Sequence, residues 1–420
     1  MRLTSLLLAL LVLSPTLLST PSSGVGGGFT LDLVQAVDLP GGYILVDADV
    51  VEGSVAALLY TGDGFRLALL TGGFIEWSRP LQPPQGVEGF EPIGVDAAGG
   101  GLQVYSRGRQ GLSEVLAITV YTMDGSPREE RLITLGEGFR AYSASLQGST
   151  LLVAGSLYTG LDTGWDAAAV QVDLIAGKPV STAAYEEPGD QKAVDAAFLP
   201  GGALCLVSTA REEGGGGSLA CTAGEGEWWA VPLPQGLPAG ARAWDGCIAW
   251  WSGGSGWSSA QPPPAAEPQP LPGLDRVYGV AAAMHPEAGE IAVAGGSLDG
   301  SPAIAVYTGC PASGGDWWAF KLMEGQGAVA GVWTRGGEAA VHIVSGGQQA
   351  LAVYRIEAKT PGEGETTTAP TPPQDTQTQE PRGLAEDLLQ SLSDRRLTAV
   401  LAALALALGL AAAYTASRRG

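Results

Sequence analysis

The sequence contains no asparagine, only four lysines and only two histidines in 420 residues. The lack of asparagine excludes N-linked glycosylation, because no acceptor motif exists. The four cysteines form no CxxC pair, and together with His285 and His342 they do not provide a zinc site of ordinary spacing. The sequence also lacks a serine-nucleophile elbow and the lysine of a phosphate-binding loop. We therefore predict no cofactor, and no catalytic residue can be named.

Charged residues are few, and most of them are negative. Only 15% of the residues are charged, and the formal net charge is −21. Nucleic acids are polyanions that bind through lysine and arginine, so we predict no nucleic-acid partner. Glycine (63 residues) and proline (28 residues) are abundant, which indicates many short strands joined by turns rather than long helices.

The two ends of the chain indicate export and anchoring. Residues 1–23 begin with one arginine, followed by an apolar run and small residues, which is the layout of a secretory signal peptide; a retained N-terminal anchor is the alternative. Residues 397–414 contain no charge and would span about 27 Å as a helix, enough for a bilayer core. Arginines flank this run on both sides, so the signal peptide decides the orientation, and residues 415–420 are predicted to form a cytoplasmic tail.

A polar connector precedes the predicted transmembrane helix. Residues 359–382 are rich in Thr, Pro, Glu and Gln, and they are predicted to form a disordered stalk. Residues 383–394 carry four leucines at helical spacing, which predicts a short amphipathic juxtamembrane helix. Residues 29–358 then form the outer domain. We expect a single-pass cell-membrane protein whose bulk is extracellular.

A repeated unit accounts for the outer domain. Each copy has a short β segment, a turn that contains glycine and an apolar strand. The turn glycines are Gly42, Gly100, Gly148, Gly202, Gly246, Gly289 and Gly337. Their spacings range from 43 to 58 residues, and a four-stranded propeller blade takes about 40 to 50. The sequence therefore predicts an all-β fold, a seven-bladed β-propeller.

Two pairs of similar segments carry a family resemblance. Residues 226–233 (GEWWAVPL) match residues 315–322 (GDWWAFKL), and residues 151–174 have a parallel in residues 291–308. The second pair resembles the loose repeat unit of bacterial and archaeal β-propellers. The chain as a whole is similar to prokaryotic and archaeal surface proteins with a stalk and a C-terminal anchor. The regular signatures of WD and Kelch repeats are missing from the sequence, so the resemblance implies an architecture and no named subfamily.

The last repeat lacks a fourth strand, whereas the first is preceded by a spare one. Residues 29–36 alternate between apolar and polar side chains, and residues 339–358 end before the stalk without an outer strand. Pairing the two segments would complete the seventh blade and remove exposed sheet edges. We predict that the N-terminal strand lies beside Leu351–Ile356 and closes the ring.

The cysteines of an exported domain are expected to form disulfides. Cys205 and Cys221 lie at equal distances from the tip of one predicted hairpin, so we predict that they pair across two strands. Cys247 and Cys310 would then pair between neighbouring blades or remain free. Four cysteines allow three pairings, and the sequence leaves them open.

Tryptophan and aspartate provide the candidate ligand residues. Eleven tryptophans occur, several in adjacent pairs, and packing between blades is their main interpretation. The alternative is a stacking platform for sugars, with Trp257, placed in a predicted loop, as first candidate and Trp228 and Trp317 as further ones. Asp162 and Asp166 are candidate calcium ligands in an acidic loop, although no EF-hand pattern is present and a solvated loop is the simpler interpretation.

The sequence favours a cell-surface binding or structural protein whose partner is a surface protein or a carbohydrate. The alternative is a propeller-based ectoenzyme or lectin that acts on extracellular carbohydrate, because carboxylates from distant blades can meet in space. Either site is expected at a mouth of the central channel. Acidic and aromatic side chains there would favour the enzyme or lectin, and small side chains would favour a scaffold.

Overall fold

The structure, a computed structural model, describes residues 28–359 except for 148–149, 161–163, 188, 200–201, 211–216, 223–226, 235–238 and 261–267. These residues form seven four-stranded antiparallel sheets, so the predicted seven-bladed propeller is confirmed. The predicted signal peptide, the stalk beyond Lys359, the juxtamembrane helix, the transmembrane helix and the tail lie outside the described residues. Among the residues described, no helix is long and apolar enough to cross a membrane.

Each blade is a meander whose first strand, the inner strand, lines the axis of the ring. The strands of blades 1 to 3 are, after β1 (Phe29–Asp38), β2 (Ile44–Val51), β3 (Ser54–Thr61), β4 (Gly64–Thr71), β5 (Phe74–Pro80), β6 (Glu88–Ala98), β7 (Gly101–Gln110), β8 (Ser113–Tyr121), β9 (Pro127–Gly136), β10 (Phe139–Gln147), β11 (Thr150–Gly160), β12 (Gly164–Asp173) and β13 (Lys178–Tyr185). Those of blades 4 and 5 are β14 (Gln191–Phe198), β15 (Leu204–Ala210), β16 (Gly217–Thr222), β17 (Trp228–Leu233), β18 (Ala239–Trp244), β19 (Cys247–Ser252), β20 (Ser255–Ala260) and β21 (Gln269–Pro270). Those of blades 6 and 7 are β22 (Arg276–His285), β23 (Gly289–Leu298), β24 (Ser301–Thr308), β25 (Asp316–Lys321), β26 (Gly327–Arg335), β27 (Glu338–Ser345) and β28 (Gln348–Ala358). One 3-10 turn, Pro311–Ser313, precedes β25.

The position of a strand within its blade explains its composition. Middle strands such as β3 and β24 are buried along nearly their whole length, because both faces of the blade pack against neighbours. They are accordingly continuous apolar runs. Outer strands such as β9 are mostly exposed and carry charges, which discourages pairing with other chains.

Seven apolar clusters fill the interfaces between neighbouring blades, one cluster for each interface of the described ring. Alanine and valine dominate the clusters close to the inner strands, where the blades converge. Larger rings such as Trp228 and Trp318 pack nearer the rim, where the wedge between blades is wider. The core is therefore distributed around the ring.

The N-terminal strand closes the ring as predicted. β1 pairs with β28 in antiparallel register, with Phe29 opposite Ala358, Leu31 opposite Ile356 and Val37 opposite Leu351. It forms the outer strand of blade 7, next to β28, β27 and β26. A bulge at Val34 interrupts the alternation that the sequence predicts, so that Leu33 is exposed although Phe29, Leu31 and Gln35 on the same predicted side are buried.

The first repeat was assigned to the wrong turn. Gly42 lies in the connection from β1 to β2, which joins blade 7 to blade 1, rather than in an inner hairpin. The equivalent inner turn of blade 1 is Glu52–Gly53, where Gly53 has a positive φ of 78°. Measured from Gly53, the distance to Gly100 is 47 residues, close to the other repeats, and the anomalous first spacing disappears.

Both pairs of cysteines form disulfides. Cys205 and Cys221 lie directly opposite each other on β15 and β16, which confirms the predicted pairing within blade 4. Cys247 of blade 5 is bonded to Cys310 of blade 6, the inter-blade alternative. The second bridge crosses the seam between two blades and lies within their shared apolar cluster.

The central channel as candidate functional site

The seven inner strands surround a channel with a cavity of about 580 Å³. This volume lies in the range of sites that bind small molecules. The channel has two ends. The inner hairpins lie at one end, and the inner strands begin at the other, which we call the Tyr142 mouth after a residue that lines it.

A recurring bulge determines which side chains face the mouth. In six of the seven described inner strands, one residue is left unpaired with the second strand of its blade. A bulge bends the strand and re-aims its side chains. The bulged residues include Val46, Val194, Tyr142 and Tyr278, all of which line the channel. Blades 3 and 6 therefore present tyrosines where the other bulged positions are aliphatic.

Carboxylates line the deeper part of the channel, and each is hydrogen-bonded to the next blade. Asp47 accepts the backbone N–H of Val95 at 2.8 Å, and Asp96 accepts that of Leu146 at 3.0 Å. Asp195 accepts the N–H of Ala241 at 3.1 Å.

Two further side chains repeat this arrangement. Asp49 accepts the N–H of Ala97 at 2.7 Å, and the Gln147 amide oxygen accepts that of Phe198 at 2.9 Å. Four consecutive seams, from blade 1 to blade 5, thus carry an inter-blade hydrogen bond from a backbone N–H to a side chain. Such bonds satisfy backbone donors that the sheet ladders leave free.

Blade 7 also contacts these carboxylates. The indole N–H of Trp333 donates to Asp47 at 2.9 Å, and a guanidinium nitrogen of Arg335 donates to Asp49 at 2.5 Å. Asp47 and Asp49 therefore connect blade 1 to both of its neighbours.

The surroundings of the channel carboxyls shift their pKa values upward. Loss of water around Asp47 raises its pKa to about 7, and the same effect raises the pKa of Asp96 to about 6. Neighbouring carboxylates add to both shifts, Asp96 acting on Asp47 and Asp49 acting on Asp96. Burial also raises the pKa of Asp195, and the positive charge of Arg242 partly opposes that effect.

Raised pKa values in a cleft are often a sign of catalysis, but structural networks produce them too. Here every one of these aspartates holds a backbone N–H of the adjacent blade, so its carboxylate is fixed in the wall. The N–H bond occupies one oxygen of each carboxylate and holds the side chain against the neighbouring blade. We therefore assign the deep carboxylates to the architecture of the ring.

At the mouth, the ring of Tyr142 is surrounded by positive charge. The guanidinium of Arg107 lies 5.1 Å from the ring centroid, that of Arg140 5.9 Å and the ammonium of Lys192 5.6 Å. The three cations come from blades 2, 3 and 4. The electron-rich face of an aromatic ring attracts cations, so Tyr142 gathers residues from three blades at one point.

The three cations differ in how they are neutralised. Arg107 is held by the Glu91 carboxylate, with Nε at 2.8 Å, and by the carbonyl oxygen of Ala141 at 2.6 Å. In the described part of the chain, neither Arg140 nor Lys192 forms a salt bridge. The mouth therefore carries two cations with no ion-pair partner among the described residues.

A second cavity of about 360 Å³ adjoins the channel and shares Glu91 with it. Arg107, Arg109 and Arg140 line this cavity together with Glu114. Burial raises the pKa of Glu114, although the carboxylate accepts the N–H of Ala141 at 3.2 Å. Three glutamates, Glu88 among them, and three arginines therefore line this cavity together.

The three candidate tryptophans lie on three different blades. Trp228 packs in the seam between blades 3 and 4, with its ring 5.5 Å from that of Tyr185. Trp317 is 43% exposed on β25, next to Gly273. Neither residue lines the channel.

Trp257 belongs to a strand and not to a loop. Gly253 and Gly254 form a tight turn, so the segment folds as a hairpin in which Trp257 lies opposite Trp250. The two rings stack at 6.5 Å with an angle of 24° between their planes. They line a shallow groove at the side of blades 4 and 5, away from the channel, in which three prolines also take part.

The proposed metal ligands are only partly described. Asp162 lies outside the described residues. Asp166 is fully buried in β12, and one of its oxygens accepts a hydrogen bond from the Thr159 hydroxyl. Within the residues described, no group of three or more His, Cys, Asp or Glu side chains is placed to hold a metal ion.

The two histidines have structural partners. Nδ1 of His285 accepts the N–H groups of Glu287 and Ala288, both at 3.1 Å, and Nε2 lies 2.9 Å from the Ile356 carbonyl oxygen. His342 bonds Gln349 at 3.0 Å, and burial lowers its pKa. The imidazole of His285 thus ties the inner hairpin of blade 6 to the closing blade.

The fold defines the class of this protein as a closed seven-bladed β-propeller. No family model matches the sequence, and no curated protein matches it. Similar solved structures include the WD40 domain of Pan2 from Neurospora crassa, with 12% identity, 79% of this chain and 97% of that chain covered and a TM-score of 0.46. The β-propeller domain of the trilobed protease from Pyrococcus furiosus has 12% identity, with 76% and 96% covered and a TM-score of 0.42. The PQQ-bound aldose sugar dehydrogenase from Streptomyces coelicolor has 11% identity, with 80% and 100% covered and a TM-score of 0.41. These likenesses concern the fold alone.

Proposed function

We propose that this chain is a cell-surface binding protein that takes up a small ligand, or the end of a chain molecule, in the Tyr142 mouth. The observation that carries this proposal is the contrast between the two parts of the channel. The deep carboxylates are bonded to neighbouring blades, whereas the mouth presents two tyrosines and cations without a described ion-pair partner.

Several features support a location at the cell surface. The apolar runs at the two chain ends fit a signal peptide and a single membrane anchor. The two disulfides fit an oxidising compartment. A binding role without chemistry agrees with the fixed carboxylates, since the rival ectoenzyme would need a carboxyl group free to exchange protons with a substrate.

The proposal is tested by titrating the full chain, in detergent, with three soluble polysaccharides: uncharged dextran, polygalacturonate and dextran sulfate. Binding is followed by intrinsic fluorescence, and release of reducing ends is measured in parallel. We expect at least one polymer to bind without cleavage, and binding to be lost in the Tyr142→Leu/Tyr278→Leu double variant. The matched control is Tyr60→Leu/Tyr158→Leu, which changes two exposed tyrosines that do not line the channel.

Two results would overturn the proposal. One is the absence of binding to all three polymers, or equal binding by both double variants. The other is release of reducing ends that disappears in Asp47→Asn, which would identify a hydrolase with a catalytic carboxyl in the channel.

A further inference from the structure

Positive charge is rare in this chain and is nevertheless concentrated at one place. Lysine and arginine number 22 against 43 aspartates and glutamates. Even so, Arg107, Arg140 and Lys192 all lie within 6 Å of the centroid of the Tyr142 ring. The Tyr142 ring therefore brings cations from blades 3 and 4 to one place.

The local carboxylates pair directly with only some of the cations. Glu91 neutralises Arg107, and Glu114 lies 3.9 Å from Arg109. No carboxylate in the described part of the chain forms a salt bridge with Arg140 or Lys192. Glu114 is close enough to Arg140 for the two charges to interact, without forming a salt bridge. Among the described residues, Arg140 and Lys192 therefore have no direct ion-pair partner, and a ligand oxyanion could supply one.

We infer that the Tyr142 mouth binds an oxyanion, a carboxylate, sulfate or phosphate group of the ligand, between Arg140 and Lys192. This inference rests on the proposed function and specifies the ligand chemistry. The planar guanidinium of Arg140 donates two parallel hydrogen bonds that match an oxyanion, and the ammonium of Lys192 supplies a second charge. Arg107 is held by Glu91 and Ala141 and stays in contact with the Tyr142 ring.

Fixed contacts make the site rigid before the ligand arrives. Arg107 donates to the carbonyl oxygen of Ala141, the residue between Arg140 and Tyr142. The N–H of the same residue donates to Glu114. Both backbone groups of Ala141 are therefore held from blade 2, which fixes the direction of the flanking side chains. A pre-organised donor set loses less entropy on binding.

The anion must approach a protein of net charge −21. Long-range repulsion is screened beyond about 8 Å at physiological ionic strength, whereas the contacts within the mouth are shorter. We therefore expect recognition of a single anionic group at close range and not general attraction of polyanions.

The experiment compares galacturonic acid with galactose, two sugars that differ by one carboxylate, using calorimetric titration of the full chain. Inorganic sulfate and inorganic phosphate are titrated separately, so that the type of oxyanion is identified. We expect galacturonic acid or one of the inorganic anions to bind and galactose to bind at least tenfold more weakly, the usual loss when a charge-assisted contact is missing. Arg140→Gln and Lys192→Gln should each weaken anion binding roughly tenfold or more.

Matched controls separate a site effect from a change in net charge. Arg128→Gln and Lys178→Gln remove the same charges from exposed outer strands of blades 2 and 3, and both should bind as the original chain does. Tyr142→Phe should retain binding because the ring still gathers the cations, and Tyr142→Leu should lose it. Unfolding temperatures of all variants identify any that fail to fold.

Three outcomes would overturn the inference. These are no binding of any anion, anion binding that survives both charge removals, and equal affinity for galactose and galacturonic acid where both sugars bind. If an uncharged polymer bound at the mouth in a Tyr142-dependent manner while no anion competed, the proposed function would stand and only the oxyanion inference would fall.

Discussion

The carboxylate of Asp49 accepts the backbone N–H of Ala97 at 2.7 Å and a guanidinium N–H of Arg335 at 2.5 Å. One buried side chain of blade 1 therefore fastens blade 2 on one side and blade 7 on the other. Replacing it with alanine leaves a backbone donor and a cation without their acceptor. We expect Asp49→Ala to lower the free energy of unfolding by about 2 to 4 kcal/mol.

Chemical denaturation of the full chain measures this loss. Asp38→Ala is the control, because Asp38 is exposed at the end of β1, and its effect should stay within about 0.5 kcal/mol. If the two substitutions had equal effects, the inter-blade hydrogen bonds would be incidental to stability.

The channel carboxyls predict an unusual dependence of stability on pH. The pKa values of Asp47 and Asp96 rise from 3.8 to about 7 and about 6 in the folded chain. Between about pH 4 and pH 7 the folded state therefore holds protons that the unfolded chain has released. Stability from these groups is fully present below that window and is lost as the pH rises through it.

We expect the unfolding midpoint to be higher at pH 5 than at pH 7.5, and the difference to shrink in Asp47→Asn. Calorimetry at a series of pH values measures it. Asp32→Asn, on the exposed side of β1, serves as control and should leave the difference unchanged. A pH profile that is the same in all three proteins would contradict the prediction.

Ring closure depends on a contact between the two ends of the propeller. Leu31 is buried and lies opposite Ile356 in the register of β1 and β28. Truncation of a buried leucine leaves a cavity, so Leu31→Ala should cost about 2 to 4 kcal/mol and shift the single unfolding transition of the whole ring. Val34, the bulged and 41% exposed residue of the same strand, provides the control Val34→Ala. An effect no larger than that of the control would show that closure by β1 adds little stability.

The two disulfides should differ in their contributions. Cys247–Cys310 spans 63 residues and Cys205–Cys221 spans 16. The entropy that a crosslink removes from the unfolded chain grows with the size of the loop, which gives about 4 and about 3 kcal/mol respectively. Thermal unfolding of the two double Cys→Ala variants should rank them in that order, and peptide mapping without reductant should recover both linked pairs. A fragment that joins Cys205 to Cys247 would refute the pairing.

The architecture could be predicted because it repeats. Glycine turns at regular spacing, together with a spare strand before the first copy and a missing strand after the last, were enough to predict seven blades and their closure. The error at Gly42 arose because the connection between blades has the same composition as an inner hairpin. The pairing of Val51 with Ser54 identifies the true inner hairpin, and pairing is not visible in one sequence.

The candidate site was harder to predict because it is assembled from several blades. Arg107, Arg140 and Lys192 meet at one ring although they lie on three separate blades. A weak signal existed, since Arg-x-Tyr occurs at the start of two inner strands, at Tyr142 and Tyr278. The sequence predicts a loop at Trp257 because the glycines before it resemble part of a longer irregular segment, whereas they form a tight hairpin turn.

A signal for the inter-blade hydrogen bonds was also present. The tripeptide Val-Asp-Ala begins at Val46, Val95 and Val194, and the aspartate in each copy accepts an N–H of the following blade. An aspartate within an apolar inner strand indicates a buried acceptor, because an unpaired carboxylate there would be costly. The partner itself could not be named, since it belongs to another repeat.

The path of the chain also distinguishes the two faces of the ring. The N–H of Ile356 donates to the carbonyl oxygen of Gly337 at 2.8 Å, so β28 ends beside an inner hairpin. Lys359 follows there, with its N–H bonded to the Gly28 oxygen at 2.9 Å. Tyr142 lies near the start of its inner strand, at the opposite face. The last described residue, Lys359, and the Tyr142 mouth therefore lie on opposite faces of the ring.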